Sequence, residues 1–129
     1  MKGTPLPPPE IRGKLKRFYA TSEPYAEHLS RENEAYFKRY ASLVERYAGK
    51  ARLLLDAGCG TGLSSGLLAR AGRRVVGVDL SEFFLKRGKG DAPGGRASYA
   101  AADILNLPFQ DASFDCVASY LVIEFLPDV

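Results

Sequence analysis

Three consecutive leucines run into an acid and three alternating glycines at Leu53-Leu54-Leu55-Asp56-Ala57-Gly58-Cys59-Gly60-Thr61-Gly62. A short, continuous apolar run ending in such a turn has the length of a strand buried on both faces, the kind found in parallel sheets covered by helices. The glycines open left-handed backbone conformations and let a ligand approach the main chain with no Cβ in the way. The segment therefore predicts a strand, a ligand-binding turn and then a helix. Standing alone, it also fits a plain strand-to-helix turn.

The spacing separates this loop from the dinucleotide-binding G-x-G-x-x-G, whose third glycine allows tight packing behind a pyrophosphate. Counted from Gly58 that glycine would fall at Leu63, and counted from Gly60 at Ser65. Neither frame fits. Two further runs then repeat the pattern of strand followed by acid. Arg74-Val75-Val76-Gly77-Val78-Asp79 places a carboxylate about 20 residues after the first glycine, where a ribose-binding acid belongs. Capping the next helix is the alternative role for Asp79, but Ser81 is the better N-cap for Glu82-Phe83-Phe84-Leu85-Lys86-Arg87. The run beginning near Ala97 ends in Asp103-Ile104, where an aspartate is either a turn residue or a ligand contact. A fourth run, Phe114-Asp115-Cys116-Val117-Ala118-Ser119-Tyr120, alternates Phe114, Cys116 and Ala118 with Asp115 and Val117.

This ordered set resembles class I S-adenosylmethionine (SAM) dependent methyltransferases, with the glycine loop as motif I and the Phe114-Asp115 segment as motif IV. The resemblance covers roughly Leu53 to Asp128. It implies an α/β, Rossmann-like parallel sheet of order 3-2-1-4 with flanking helices, binding SAM at the carboxyl ends of its strands. It further implies that Asp56, Gly58, Cys59, Gly60 and Gly62 form the cofactor loop, and that Asp79 accepts from both ribose hydroxyls. Leu80 would flank the adenine, Asp103 would accept from its amino group, and Ile104 would donate a backbone N–H to the ring. Ser119 and Tyr120 would face the methionine end, with Tyr120 equally readable as a rim aromatic. Many members carry a His where this chain has Phe125, so no imidazole is evident near the reaction centre.

Upstream, Tyr36, Phe37, Tyr40, Leu43, Val44 and Tyr47 recur at three- and four-residue steps, predicting a helix with one apolar face that stops at Gly49. Phe18, Tyr19 and Tyr25 resemble the aromatic N-terminal segment of small-molecule methyltransferases, in which a tyrosine closes over the methionine end; Tyr25 takes that role or packs in the core. The organisation expected is a proline-containing leader and helical segment over 1–50, then a SAM-binding α/β domain over 51–129, incomplete at its C-terminus.

Composition sets the remaining limits. With 129 residues and 46% hydrophobic content, one modest core is expected. No stretch reaches the roughly 18 apolar residues of a membrane span, and no secretory signal is visible, so the expected location is cytoplasmic. Cys59 and Cys116 lack zinc-ligand spacing, and the sole histidine, His28, has no triad arrangement around it. A net charge of +3 does not argue for nucleic acid. The basic cluster Arg12, Lys14, Lys16 and Arg17 reads as solvated or, alternatively, as a polyanion site.

Three functions follow: a methyltransferase acting on a small molecule, a SAM-binding module without its own catalysis, and an NAD-dependent oxidoreductase, which Leu63 and Ser65 oppose. Family topology leaves the fourth strand with an unpaired edge, so a homodimer through that edge is expected.

Overall fold

A computed structural model describes residues 34–87, 93–123 and 126, together with 10, 13, 14 and 17. Tyr25 and His28, like Phe18, Tyr19, Phe125 and Asp128, lie outside the described residues. Four strands, β1 (Leu53–Ala57), β2 (Arg74–Asp79), β3 (Ala97–Ala101) and β4 (Cys116–Ala118), form one parallel sheet of order β3-β2-β1-β4. This is the order expected. Helix α1 (Glu34–Ala48) precedes β1, α2 (Leu63–Arg70) joins β1 to β2, and α3 (Glu82–Arg87) follows β2.

The leucine run behaves as a strand covered on both sides. Leu54 packs with Ala41 of α1, Leu68 and Ala69 of α2 and Val75 of β2. Leu55 and Ala57 join Val78 on the opposite face, against Ile104, Leu107, Phe109 and Phe114. Sequence alternation thus divides β1 between two cores. Because Asp56 shares the parity of Leu54, it is carried to the α1–α2 side.

The apolar face of α1 is narrower than its periodicity suggests. Ala41 is buried and Phe37, Tyr40 and Val44 are partly buried, whereas Tyr36, Leu43 and Tyr47 remain exposed, Tyr47 at 78%. At 3.6 residues per turn the exposed trio occupies a separate stripe, roughly a quarter turn away, that the sheet does not reach. At the end of α1, Arg73 ties the helix to the start of β2. Its guanidinium takes both carboxylate oxygens of Glu45, at 2.6 and 3.0 Å, and the carbonyls of Gly49 and Ala51.

The fourth strand is shorter than the expected Phe114 to Tyr120 span. Phe114 leaves the sheet to meet Phe109 edge-on at 5.0 Å, and the Asp115 carboxylate accepts from the backbone N–H groups of Arg52 and Leu53 at 2.8 and 2.9 Å. Those two bonds hold the Asp115 carboxyl below the usual carboxylate range. Beyond Ala118, the Ser119 hydroxyl donates to the Ala57 carbonyl at 2.9 Å, so a side chain replaces the ladder bond. Val117, on this edge strand, is 61% exposed.

Candidate functional site

A cleft opens at the carboxyl ends of the strands, where parallel α/β sheets place ligands. Its floor is Gly58, Cys59, Gly60, Thr61 and Ser64; one wall is Asp79, Leu80 and Phe84, and the next is Ala102, Asp103 and Ile104. Phe37 of α1 with Tyr120, Leu121, Val122 and Leu126 closes the remaining side.

Main-chain bonds fix the start of the loop. The N–H groups of Gly58 and Cys59 both donate to the Val78 carbonyl, at 2.8 and 2.9 Å, pinning the turn to the end of β2. Gly60 has a φ of +56°, and a Cβ built there meets nothing within 4 Å. The space at Gly60 is thus open on the cleft side. Gly58 differs, because its Cβ would lie 2.3 Å from the Val122 side chain, so the segment after β4 packs directly on the loop. Behind the loop, Gly77 in mid-strand leaves a notch shared by the Cys59 thiol, the Ser65 hydroxyl and the Tyr99 ring, each within 2.9 Å of where a Cβ would sit. From that notch the Tyr99 hydroxyl donates to the Gly62 carbonyl at 3.3 Å.

Two acids stand at the ends of β1 and β2 with different surroundings. Asp79 accepts from the Gly60 N–H through Oδ2 and from the Ser81 N–H through Oδ1, both at 2.8 Å, and so joins the second strand to the loop. Burial raises its pKa, and the N–H groups of Ser81, Gly60 and Leu80 pull it back. Asp56 is 1% exposed, and its Oδ2 accepts from the hydroxyls of Ser64 and Ser65 at 2.7 and 2.6 Å. Burial raises its pKa too, opposed by those two hydroxyls. Its Oδ1 has no hydrogen-bond partner among the described residues. Cys59 is a buried thiol, and burial pushes its pKa up.

Of the residues singled out from sequence, Gly58, Cys59, Gly60, Asp79, Leu80, Asp103, Ile104 and Tyr120 meet on the cleft. Asp56, Gly62 and Ser119 are not among its lining residues. Asp103 makes a local turn, its Oδ1 accepting from the Leu105 N–H at 3.0 Å, and it also lines the wall. Ser81 caps α3 as expected, accepting from the Phe84 N–H at 3.3 Å. The Tyr120 ring packs edge-on against Phe37 at 5.5 Å and stacks on Tyr40 at 4.6 Å and 22°. Sequence reasoning missed Phe37, Thr61, Ser64, Phe84, Ala102, Leu121, Val122 and Leu126 as lining residues and Tyr99 as a support of the loop. Gly77 was the available signal for Tyr99, since a glycine inside a strand marks a close approach.

Apolar walls at Leu80, Phe84 and Ile104, a carboxylate at the middle and a glycine floor suit a ligand with a flat base, neighbouring hydroxyls and a polar tail. The open space at Gly60 and the unpartnered Asp56 Oδ1 fit S-adenosylmethionine, which offers a tail of both charges.

Comparison with known proteins agrees with this geometry. Residues 55–129 match the methyltransferase domain family. A Mycolicibacterium smegmatis protein described as a probable S-adenosylmethionine-dependent methyltransferase is 34% identical over 99 residues, which is 75% of this chain and 38% of the relative. Demethylmenaquinone methyltransferase of Thermobifida fusca is 35% identical over 105 residues, 78% of this chain and 44% of the relative. The chain thus spans less than half the length of these relatives. Among solved structures, a TehB-like SAM-dependent methyltransferase from Corynebacterium glutamicum superposes with a TM-score of 0.68 at 30% identity, covering 84% of this chain and 60% of that one. A sheet of the expected order, a glycine floor at its carboxyl edge and a matched family over 55–129 lead to one conclusion: the chain belongs to the class I, Rossmann-like S-adenosylmethionine-dependent methyltransferases.

Proposed function

We propose that this protein is a cytoplasmic enzyme that transfers a methyl group from S-adenosylmethionine to a small-molecule acceptor, with residues 51–129 as its cofactor-binding part. The observation that carries the proposal is the bond from the Gly60 N–H to Asp79 Oδ2, which joins the glycine loop to the acid of the second strand at the mouth of the cleft. In this reading Asp79 accepts from the ribose hydroxyls, Leu80 and Ile104 flank the adenine, and Asp103 accepts from its amino group. Gly58, Cys59, Gly60 and Gly62 shape the loop that receives the methionine end, with Asp56 and Ser119 behind it and Tyr120 on its wall. Tyr25 would close over that end.

The cofactor brings an already activated methyl group on a sulfonium. What is asked of the residues is to hold donor and acceptor in line about 3 Å apart and to exclude water. Phe37, Tyr120, Leu121, Val122 and Leu126 give the apolar side needed for the second task. Relatives named for demethylmenaquinone and sterol acceptors support a small-molecule substrate. The exposed edge of β4 at Val117 supports association of two copies through that strand. Calorimetric titration with S-adenosylmethionine, S-adenosylhomocysteine and NAD tests the cofactor. Binding of the first two without NAD is expected, and NAD binding alone would overturn the reading. Transfer of label from S-adenosylmethionine into a small-molecule extract then tests the activity.

A further inference from the structure

Among the described residues, two that are not glycine adopt left-handed backbone: Ala112 at a φ of +58° and Leu121 at +55°. Steric clash with Cβ disfavours that conformation in any such residue. Ala112 belongs to the exposed turn before β4, where reversal of the chain accounts for it. Leu121 lines the cleft while 47% of it stays exposed. Its two neighbours impose its backbone. Tyr120 is held against α1, stacked on Tyr40 and edge-on to Phe37. Val122 is held against the glycine loop, its methyl carbons 2.3 and 2.9 Å from where a Gly58 Cβ would sit. The chain turns between these two anchored side chains, and Leu121 takes the turn.

Glycine or asparagine would make that turn with less strain, so folding alone does not call for a leucine. Strained positions of this kind collect at ligand sites, where the surrounding structure over-determines them. The chemistry around Leu121 narrows what it meets. The polar lining of the cleft, Thr61, Ser64, Asp79 and Asp103, lies on the floor and the two walls that the cofactor reading fills. On the side of Leu121 the lining is Phe37, Tyr120, Val122 and Leu126, with no charged side chain among the described residues. An ionic acceptor would lose its hydration there without replacement, whereas an uncharged ring or chain would gain from covering the exposed leucine. We propose that Leu121 is a specificity-determining residue that touches the methyl acceptor and selects an uncharged compound with an apolar face beside its nucleophile. The inference rests on the cofactor reading above and adds to it the class of the acceptor and one residue that contacts it.

Calorimetric titration of the full chain saturated with S-adenosylhomocysteine tests it, with 2-naphthol as an uncharged aromatic probe and phosphoethanolamine as a charged one. Wild type should bind 2-naphthol and not phosphoethanolamine. Leu121→Gly relieves the backbone, so it should melt at or above the wild-type temperature and keep its affinity for S-adenosylhomocysteine. Its affinity for 2-naphthol should fall about tenfold, the scale of an aliphatic side chain covered by a ligand. Leu121→Asn, which also tolerates left-handed backbone, should lose 2-naphthol to a similar extent, and Leu121→Met, apolar but strained, should retain it. Unchanged 2-naphthol affinity in the glycine and asparagine variants, or equal weakening of S-adenosylhomocysteine, overturns the role of Leu121. Wild type that binds S-adenosylhomocysteine but prefers phosphoethanolamine, or takes neither probe, overturns the acceptor class. Wild type that does not bind S-adenosylhomocysteine removes the cofactor reading itself and this inference with it.

Discussion

The two edges of β1 meet opposite kinds of neighbour. On the β2 side, the glycine loop is held by the Val78 carbonyl, by Asp79 Oδ2 and by Tyr99 from a third strand. On the β4 side three residues pair among the described residues, and Val117 stands exposed. The first region is bonded from two strands, β2 and β3, and the second from β4 alone. Substitutions in the loop should therefore act on ligand binding with high leverage, whereas those on the edge should act on association and leave the fold intact.

The largest effect is expected from Gly60→Val. A Cβ there meets nothing in the protein, so the stability cost is that of left-handed backbone, about 1–2 kcal/mol. The valine would nevertheless occupy the cleft and abolish cofactor binding. Thermal melts with and without S-adenosylmethionine distinguish the two losses, and a variant still stabilised by ligand would break the contrast. Asp79→Ala comes next, with S-adenosylmethionine affinity reduced by about 1.5–3 kcal/mol for lost hydrogen bonds to a charged group. Calorimetry against wild type measures it, and unchanged affinity in a folded variant would remove the ribose assignment.

Asp115→Asn has a smaller effect whose signature is pH dependence. The Asp115 carboxyl is held low by the backbone N–H groups of Leu53 and Arg52, so its folded pKa lies below its unfolded one. Its stabilisation is therefore present above the unfolded value, about 3.9, and is lost as pH falls through the folded value. Urea melts between pH 6 and roughly pH 2.5 should show a shallower acid loss in Asp115→Asn than in wild type. Equal slopes would mean that these two bonds do not register β4 against β1. Val117→Lys should change stability least, within about 0.5 kcal/mol as for other surface positions. A charge on the edge strand should still convert a dimer into a monomer in light scattering. A wild-type chain that is monomeric at micromolar concentration would exclude association through β4.

The elements most legible in the sequence were those set by local chemistry. Leu53–Asp56, Val75–Asp79 and the glycines between them announce strand, turn and acid through periodicity and φ requirements, and the sheet order followed from the family resemblance. Less legible were features created by neighbours distant in the chain. Nothing in the spacing of Tyr36, Leu43 and Tyr47 says that the sheet stops short of them, because the width of a buried stripe depends on what lies opposite. The end of β4 was misplaced for a related reason: Phe114 and Ser119 have bonding alternatives, Phe109 and the Ala57 carbonyl, that are remote in sequence. Asp56 was assigned to the cofactor loop by its place in the motif, but its attachment to Ser64 and Ser65 emerges only once α2 packs on that face of the sheet.

The notch at Gly77 ties together segments that a sequence alignment would treat as independent columns. The sulfur of Cys59, the hydroxyl of Ser65 and the ring of Tyr99 converge on the place of a single missing methyl group. Enlarging position 77 would press on the loop, the second helix and the third strand at once. A smaller residue at 99 alone would still leave the thiol and the serine in the way. Variation here is therefore expected to come as matched sets, and an engineer seeking a roomier cofactor loop would have to redesign all four positions in one step.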